Sequence, residues 1–209
     1  MATKEWKFIN PMENISAPKV RKKEMKYYEA EEAQKCIQEL YVREPIHWRL
    51  YFLAAMIGGL RRGEAIALEW DKDVDFEEGG FQVRKNIPKT VNGEAHIKET
   101  KTIGSTRFVA MPDWYMDELK EYQMIWKREK FRLGDAWEGG DKQYVFHGGT
   151  GKPFYYTTPT YRWSKFAKKI DLKYIRLHDL RHTMVTLLIE EGARFSISKK
   201  EVDIQVKKF

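Results

Sequence analysis

The chain has 209 residues, of which 42% are hydrophobic and 14% aromatic, so its composition excludes a disordered chain and predicts one globular domain with a full core. Lys and Arg number 38 against 31 Asp and Glu, giving a formal net charge of +7, which favours a polyanionic partner. The single cysteine, Cys36, excludes an intramolecular disulfide, and the most apolar run, residues 51–60, is too short to span a bilayer, so we expect a cytoplasmic protein.

The N-terminal segment, residues 1–26, is polar and carries five clustered basic side chains. It has no periodic apolar face with which to dock, which predicts a linker or arm. Helical periodicity begins at Tyr28 and returns after Pro45, which predicts two packed helices. The pattern breaks at a pair of glycines and resumes over residues 62–70 as a third helix.

Between residues 73 and 112 the helical period gives way to alternation between apolar and polar residues. Turn signals separate three short segments, at residues 81–83, 96–98 and 107–111, which predicts a small antiparallel sheet of three strands.

Helical periodicity returns twice in the second half of the chain. We expect a long helix to begin at Pro112, a glycine-rich loop to cover residues 135–153, and another helix to begin at Thr158. The expected fold class is therefore mainly α with a small three-stranded antiparallel β-sheet, an α+β fold.

The last helical pattern, residues 177–192, starts with the sequence Leu-His-Asp-Leu-Arg-His-Thr and closes on a glycine that can cap the helix. His178 and Arg181 are three residues apart, so on a helix they project from the same face. The pattern therefore predicts two nitrogen donors that point in one direction.

Two further motifs partly resemble a phosphate-binding loop and a zinc-binding histidine pair. The turn at residues 147–152 lacks both the glycine spacing and the Ser or Thr of a phosphate-binding loop, so we interpret it as a plain turn. His178 and His182 have the spacing of a zinc pair, but Asp179 stands where zinc proteases have glutamate, and Arg181 would bring positive charge to the metal. We expect no metal site, and no motif supports Ser or Cys hydrolase chemistry.

Arg61 lies at a glycine-relieved turn that opens a helix, where backbone N–H groups also converge on an anion. Glu64, one turn further on, is placed to brace the guanidinium by a charge-assisted hydrogen bond. An arginine and a glutamate at this spacing also form ordinary surface ion pairs, so the motif alone is a weak signal.

Lys101 lies at the tip of a predicted hairpin, from which its ammonium can reach a site assembled elsewhere. Together with Arg61, His178 and Arg181 it makes a set suited to a phosphodiester. The two guanidiniums would stabilise the charge of a pentavalent transition state, while lysine and histidine move protons, and no metal or other cofactor is required.

These residues occur in the order and at the spacing of tyrosine recombinase catalytic domains, the phage and transposon integrase family, which the chain resembles over most of residues 27–192. The matching segments are residues 59–70, 101–107, 151–153 and 178–183. The resemblance implies that Arg61 and Arg181 clamp the scissile phosphate, that Lys101 protonates the leaving 5′ oxygen, and that His178 gives acid–base support with Glu64 bracing the site. We also expect DNA contacts from Arg62, Arg107, Lys152 and His182.

By the same resemblance, the intact family cleaves and rejoins duplex DNA through a phosphotyrosine intermediate, inserting or excising a mobile element of a bacterium or phage. Other recombinase protomers are the further partners that it implies. Asn10 and Pro11 resemble the junction where the family's core-binding domain ends. Residues 1–26 are therefore expected to be the end of a missing core-binding domain, and residues 27–192 the catalytic domain.

The resemblance breaks after the motif, because the last tyrosine is Tyr174 and only Phe195 and Phe209 are aromatic beyond residue 183. Phenylalanine cannot attack phosphorus, so we expect a chain truncated before its nucleophile that does not cleave alone. Residues 193–209 have no clear helical face, and one back-translation of residues 201–206 encodes Gly-Gly-His-Ser-Ser in a shifted frame, which suggests a frameshift without requiring one. The alternatives are a non-catalytic DNA-binding remnant, a partner complemented in trans, and a globular protein that does not bind DNA.

Overall fold

The computed structural model describes residues 26–91, 94–99 and 106–183, which form a helical domain with small antiparallel sheets. The helices are α1 (Ala30–Arg43), α2 (Ile46–Met56), α3 (Arg62–Ala67), α4 (Trp70–Asp73), α5 (Asp113–Leu133) and α6 (Thr158–Ala167). The strands are β1 (Val74–Asp75), β2 (Gly80–Val83), β3 (Lys85–Val91), β4 (Glu94–Glu99) and β5 (Arg107–Ala110), and short 3-10 turns cover Gly134–Ala136 and Leu177–Asp179. Among these residues, no helix is long and apolar enough to cross a membrane.

The two helices predicted on either side of Pro45 are confirmed as α1 and α2. Cys36 lies on the buried face of α1, where burial raises the pKa of its thiol. Helix α2 is buried over eight of its 11 residues, and its aromatic rings pack on the second half of the chain. Trp48 stacks on Phe154 with 4.2 Å between ring centroids, and Phe52 meets Trp163 edge-on at 5.1 Å. Helix α2 is therefore the centre of the core.

The long helix predicted from Pro112 is confirmed as α5. It packs against α2 and against the loop that follows α5 in the chain. Tyr115 donates a hydrogen bond from its hydroxyl to the carbonyl of Leu50, and the indole N–H of Trp126 donates to the carbonyl of Tyr144. Both polar groups are buried, so each needs such a partner. The helix predicted from Thr158 is confirmed as α6.

The three-stranded antiparallel sheet is present, but its predicted membership was wrong. Strand β2 pairs with β1 on one side and with β5 on the other, with Phe81 opposite Val109. The segment at residues 96–98 belongs to β4, whose partner within the described ranges is β3, in a separate hairpin. Strands β2 and β5 pair directly, and the chain between them contains the separate ladder of β3 and β4.

The helix predicted over residues 62–70 divides into α3 and α4. Leu68 and Glu69 are extended between the two helices. The Leu68 carbonyl accepts a hydrogen bond from the Val145 backbone N–H, and Glu69 forms a β-bridge with Tyr144. These backbone bonds to a distant segment replace the helical ones, so the apolar period continues while the helix does not.

The glycine-rich turn at residues 147–152 folds around a histidine. The Nδ1 atom of His147 accepts hydrogen bonds from the backbone N–H groups of Gly149 and Gly151, at 3.1 and 3.4 Å. Two N–H groups that a phosphate loop would aim at its ligand are therefore already bound, in agreement with the expected plain turn. The ring is buried, and burial together with the nearby His47 lowers the pKa of His147 to about 4.

This buried histidine predicts a loss of stability in mild acid. Since His147 takes up its proton near pH 4 when folded but near pH 6.5 when unfolded, the unfolded state binds more protons between those values, and stability falls as the pH drops from 7 to 5. The Glu129 carboxylate lies 3.7 Å from Nε2 of His147. We expect His147→Asn to reduce the change in unfolding free energy over this range by about 1 kcal/mol in urea titrations. The same substitution at exposed His96 should leave the pH dependence unchanged; equal effects at both positions would contradict the assignment.

Candidate phosphate-binding site

Arg61 and Glu64 form the contact that their spacing suggests. Arg61 precedes the first turn of α3, and the Glu64 carboxylate accepts both its backbone N–H at 2.9 Å and its Nη1 at 2.8 Å. The Glu64 side chain is 4% exposed and that of Arg61 is 55% exposed. The buried Glu64 carboxylate therefore anchors the Arg61 guanidinium, which extends into solvent.

A second arginine binds the same carboxylate. Arg107, at the start of β5, donates from Nη2 to Oε2 of Glu64 at 2.7 Å and from Nη1 to Oε1 at 3.2 Å. Burial acts to raise the pKa of Glu64, but the hydrogen bonds from Arg107 and Arg61 prevail and hold it below its usual value. The carboxylate is thus ionised and fully bonded at neutral pH.

Arg62 connects α3 to α6. Its Nη1 donates to the Thr160 hydroxyl at 3.0 Å, and its guanidinium lies 5.1 Å from the centre of the Tyr156 ring. Its backbone carbonyl accepts a hydrogen bond from the Tyr51 hydroxyl at 2.9 Å, which attaches the first turn of α3 to the core helix α2. The turn that carries Arg61 is therefore held from two sides.

The motif at residues 177–183 begins with a 3-10 turn, and only residues 180–183 have α-helical geometry, so the predicted helix starts three residues too early. Arg176 explains the difference, because its guanidinium binds the buried carboxylate of Asp179 through two hydrogen bonds of 2.7 and 3.0 Å and closes the turn. His178 is exposed, and desolvation together with the charge of Arg181 lowers the pKa of its ring.

Arg181 and His182 follow on the helical turn, both partly exposed. No acceptor among the described residues binds the guanidinium of Arg181. The rings of His178 and His182 lie edge to face with 6.4 Å between centroids. In the described ranges, no three His, Cys, Asp or Glu side chains are grouped as a metal site.

Thr183 attaches this motif to the beginning of the domain. Its hydroxyl accepts a hydrogen bond from the backbone N–H of Tyr28 at 3.1 Å, and the threonine is completely buried. The indole N–H of Trp163 on α6 donates to the carbonyl of Ile175, at 2.8 Å, just before the motif. The motif is therefore fixed between the first described residues and α6.

The predicted site residues thus fall into two groups that α6 connects. Arg61, Glu64 and Arg107 are in direct contact, whereas His178, Arg181 and His182 lie on the motif at residues 177–183. Lys152 lies apart from both, with its ammonium 2.9 Å from the Glu138 carboxylate.

Some predictions fall on residues that the structure does not describe. These are the proton donor Lys101, residues 184–192 of the last helix, the tail at residues 193–209 and residues 1–25 of the arm.

Comparison with known proteins identifies the family to which the chain is related. The model of the Phage integrase family matches residues 26–200. The chain is 30% identical over 200 residues to the ICEBs1 integrase of Bacillus subtilis (strain 168), which covers 92% of this chain and 51% of that protein. It is 31% identical over 150 residues to a tyrosine recombinase XerC-like protein of Caldanaerobacter subterraneus subsp. tengcongensis, covering 68% of this chain and 38% of that protein.

Among solved structures, the Tn1549 transposon integrase in complex with a circular intermediate DNA has the same fold, with a TM-score of 0.65 at 16% identity over 88% of this chain and 58% of that one. The chain belongs to the phage integrase family, as its motifs predict. The α+β fold class is confirmed. The chain spans about half the length of the ICEBs1 integrase and less of the XerC-like recombinase.

Proposed function

We propose that this chain, over residues 27–192, is the catalytic domain of a site-specific recombinase that inserts or excises a mobile element in duplex DNA. The observation that carries the proposal is the brace on Arg61, whose side chain is 55% exposed while its carboxylate partner is buried. A guanidinium held in this way suits a phosphate, because its planar fork matches two phosphate oxygens. Membership of the integrase family supports the same function.

In the proposed reaction, Arg61 and Arg181 bind the non-bridging oxygens of the scissile phosphodiester and stabilise the charge of the pentavalent transition state. Lys101 donates a proton to the leaving 5′ oxygen, and His178 gives acid–base support. Because its pKa is lowered, His178 is neutral near pH 7 and is able to accept a proton. These steps require no cofactor.

Duplex DNA is the proposed partner, with further contacts from Arg62, Lys152 and His182 to its phosphates. Such contacts give affinity but do not choose a sequence. Other protomers of a recombinase are the second proposed partner. The proposed location is the cytoplasm, for a protein encoded by a bacterium or a phage. The Tn1549 integrase was solved with DNA and the lambda integrase as a tetramer bound to a Holliday junction, which supports both partners.

The nucleophile of the proposed reaction is not assigned to a residue, because no tyrosine follows Tyr174 in these 209 residues. We propose that these 209 residues form no phosphotyrosine by themselves, and completion of the site by a tyrosine supplied in trans is one alternative function. The rival function is DNA binding without cleavage. To separate complementation from DNA binding without cleavage, this chain is mixed with a recombinase that keeps its tyrosine but lacks one of the two phosphate-binding arginines. The mixture is then given a nicked DNA substrate. Covalent product supports complementation, and its absence supports a binding role.

The phosphate clamp predicts a steep dependence of DNA binding on salt. Replacing both Arg61 and Arg181 by alanine is expected to weaken binding of a fluorescent duplex about tenfold and to reduce the slope of log affinity against log salt by about two. Fluorescence anisotropy over a salt series measures both quantities. Arg128→Ala with Arg132→Ala is the matched control, because these exposed arginines of α5 carry the same charge away from the site. Equal losses in the two double variants would show general charge attraction and contradict a clamp.

A further inference from the structure

The two arginines that bind Glu64 use their guanidiniums differently. Arg107 places both terminal nitrogens on the carboxylate, in the two-pronged geometry of a strong arginine–carboxylate pair. Arg61 places only Nη1 there, and no other described residue accepts from its guanidinium. The side chain of Arg107 is also less exposed, at 36% against 55%. Arg61 therefore has donors left for a ligand, and Arg107 has few.

We propose that Arg107 is a positioning residue, which fixes Glu64 so that Glu64 in turn fixes Arg61, and that it does not itself bind the DNA phosphate. This inference rests on the proposed function, since it explains how the clamp is oriented. It also replaces the expectation of a direct DNA contact from Arg107.

The backbone of Arg107 is well placed for this role. Arg107 pairs with Val83 across the antiparallel ladder of β2 and β5, so the sheet fixes the backbone position of Arg107. Glu64 lies on α3, which has no backbone hydrogen bond to that sheet among the described residues. The bidentate pair is thus a cross-link between the sheet and the helix that carries the clamp, and it keeps the buried carboxylate charged.

A DNA-free experiment tests the positioning step. The backbone N–H of Arg61 donates to Oε2 of Glu64, the same oxygen that Arg107 binds at 2.7 Å. In Arg107→Gln, we expect hydrogen exchange of this N–H to become about tenfold faster and the Glu64 carboxyl, followed by ¹³C NMR, to titrate about one pH unit higher.

Arg84→Gln is the matched control, because Arg84 binds the buried Asp73 carboxylate through two nitrogens at the adjacent end of β2. It should leave both signals unchanged. An Arg61 N–H that exchanges at the wild-type rate in Arg107→Gln would overturn the proposal. If Arg107→Gln fails to fold, Arg107→Lys keeps the charge but loses the second prong, and an intermediate exchange rate is expected from it.

A DNA-binding experiment then separates positioning from direct contact. If Arg107 acts through Glu64, Arg107→Gln should weaken duplex binding about fivefold in the wild-type background and less than about twofold in a Glu64→Gln background. A direct phosphate ligand would weaken binding by the same factor in both backgrounds and lower the salt slope by about one, which would refute the proposal. If the wild-type chain shows no salt-dependent binding at all, the proposed function fails, while the exchange and titration data still decide the role of Arg107.

Discussion

Replacing Glu118 by alanine is expected to lower the free energy of unfolding by about 3 kcal/mol, because it removes the buried carboxylate to which the half-buried Arg49 is hydrogen-bonded. Glu118 is 6% exposed and accepts hydrogen bonds from Arg49, which is 15% exposed, and from the hydroxyl of Tyr41 at 2.7 Å. The Arg49 Nε is already buried without a partner. This cluster connects α1, α2 and α5, so its loss reaches the centre of the core. Urea unfolding followed by circular dichroism measures the change.

Two variants test the physical reason. Asp117→Ala removes the neighbouring carboxylate, whose exposed side chain lies 3.6 Å from the ammonium of Lys120, and should change stability by less than about 0.5 kcal/mol. Replacing the whole pair, Arg49→Met with Glu118→Leu, should recover most of the stability, because no uncompensated charge remains. A double variant as unstable as Glu118→Ala alone would mean that packing, and not the buried charge, dominates.

The helices could be predicted from the sequence because each buries one face against a common core. In α1, Ala33, Cys36, Ile37 and Leu40 are the buried residues, and their spacing is the helical period itself. The helix over residues 62–70 was predicted too long, since apolar spacing does not report whether backbone groups bond locally. At Leu68 a distant segment supplies the backbone partner.

Strand pairing could not be predicted to the same extent. Alternation shows that a segment faces two environments, but it does not identify the neighbouring strand. Residues 96–98 alternate as the outer strands do, yet they pair in the hairpin of β3 and β4. The decisive fact is the direct pairing of β2 with β5, which depends on contacts between residues far apart in the chain.

The same distinction holds within the candidate site. The bond between Arg61 and Glu64 follows from helical spacing, since both residues lie on one turn. The bond between Glu64 and Arg107 joins residues 43 positions apart, and no local pattern indicates it. Arg107 was expected from family resemblance to contact DNA, and only the folded chain reveals its carboxylate partner.

The substitution Gly63→Ala is expected to lower the free energy of unfolding by about 2 kcal/mol. Gly63 lies between Arg61 and Glu64 in sequence, on the side of α3 that packs against β3. A Cβ atom there would lie 2.5 Å from the carbonyl oxygen of Ile87 and would also overlap the side-chain oxygen of Asn86. Because Ile87 is buried and its carbonyl is backbone, the obstacle cannot rotate away.

The sign of the Gly63→Ala effect follows from two opposing contributions. Alanine favours a helix over glycine by about 1 kcal/mol, whereas overpacking against a fixed neighbour costs up to about 3 kcal/mol, so the clash prevails. To relieve it, α3 must move away from β3, and Arg61 moves with it. We therefore expect duplex binding to weaken about fivefold as well, measured by anisotropy at a temperature where the variant is folded.

Gly148→Ala is the matched control for Gly63→Ala, because Gly148 is exposed and a Cβ there would have no heavy atom within 4 Å. It should change neither stability nor DNA affinity beyond about 0.5 kcal/mol. If Gly63→Ala is instead as stable as the wild type, α3 tolerates a displacement from the sheet, and the close approach of helix and strand is not what holds the clamp in place. If stability falls while DNA affinity stays constant, the position of Arg61 does not limit binding, and the proposed clamp would have to act through Arg181 alone.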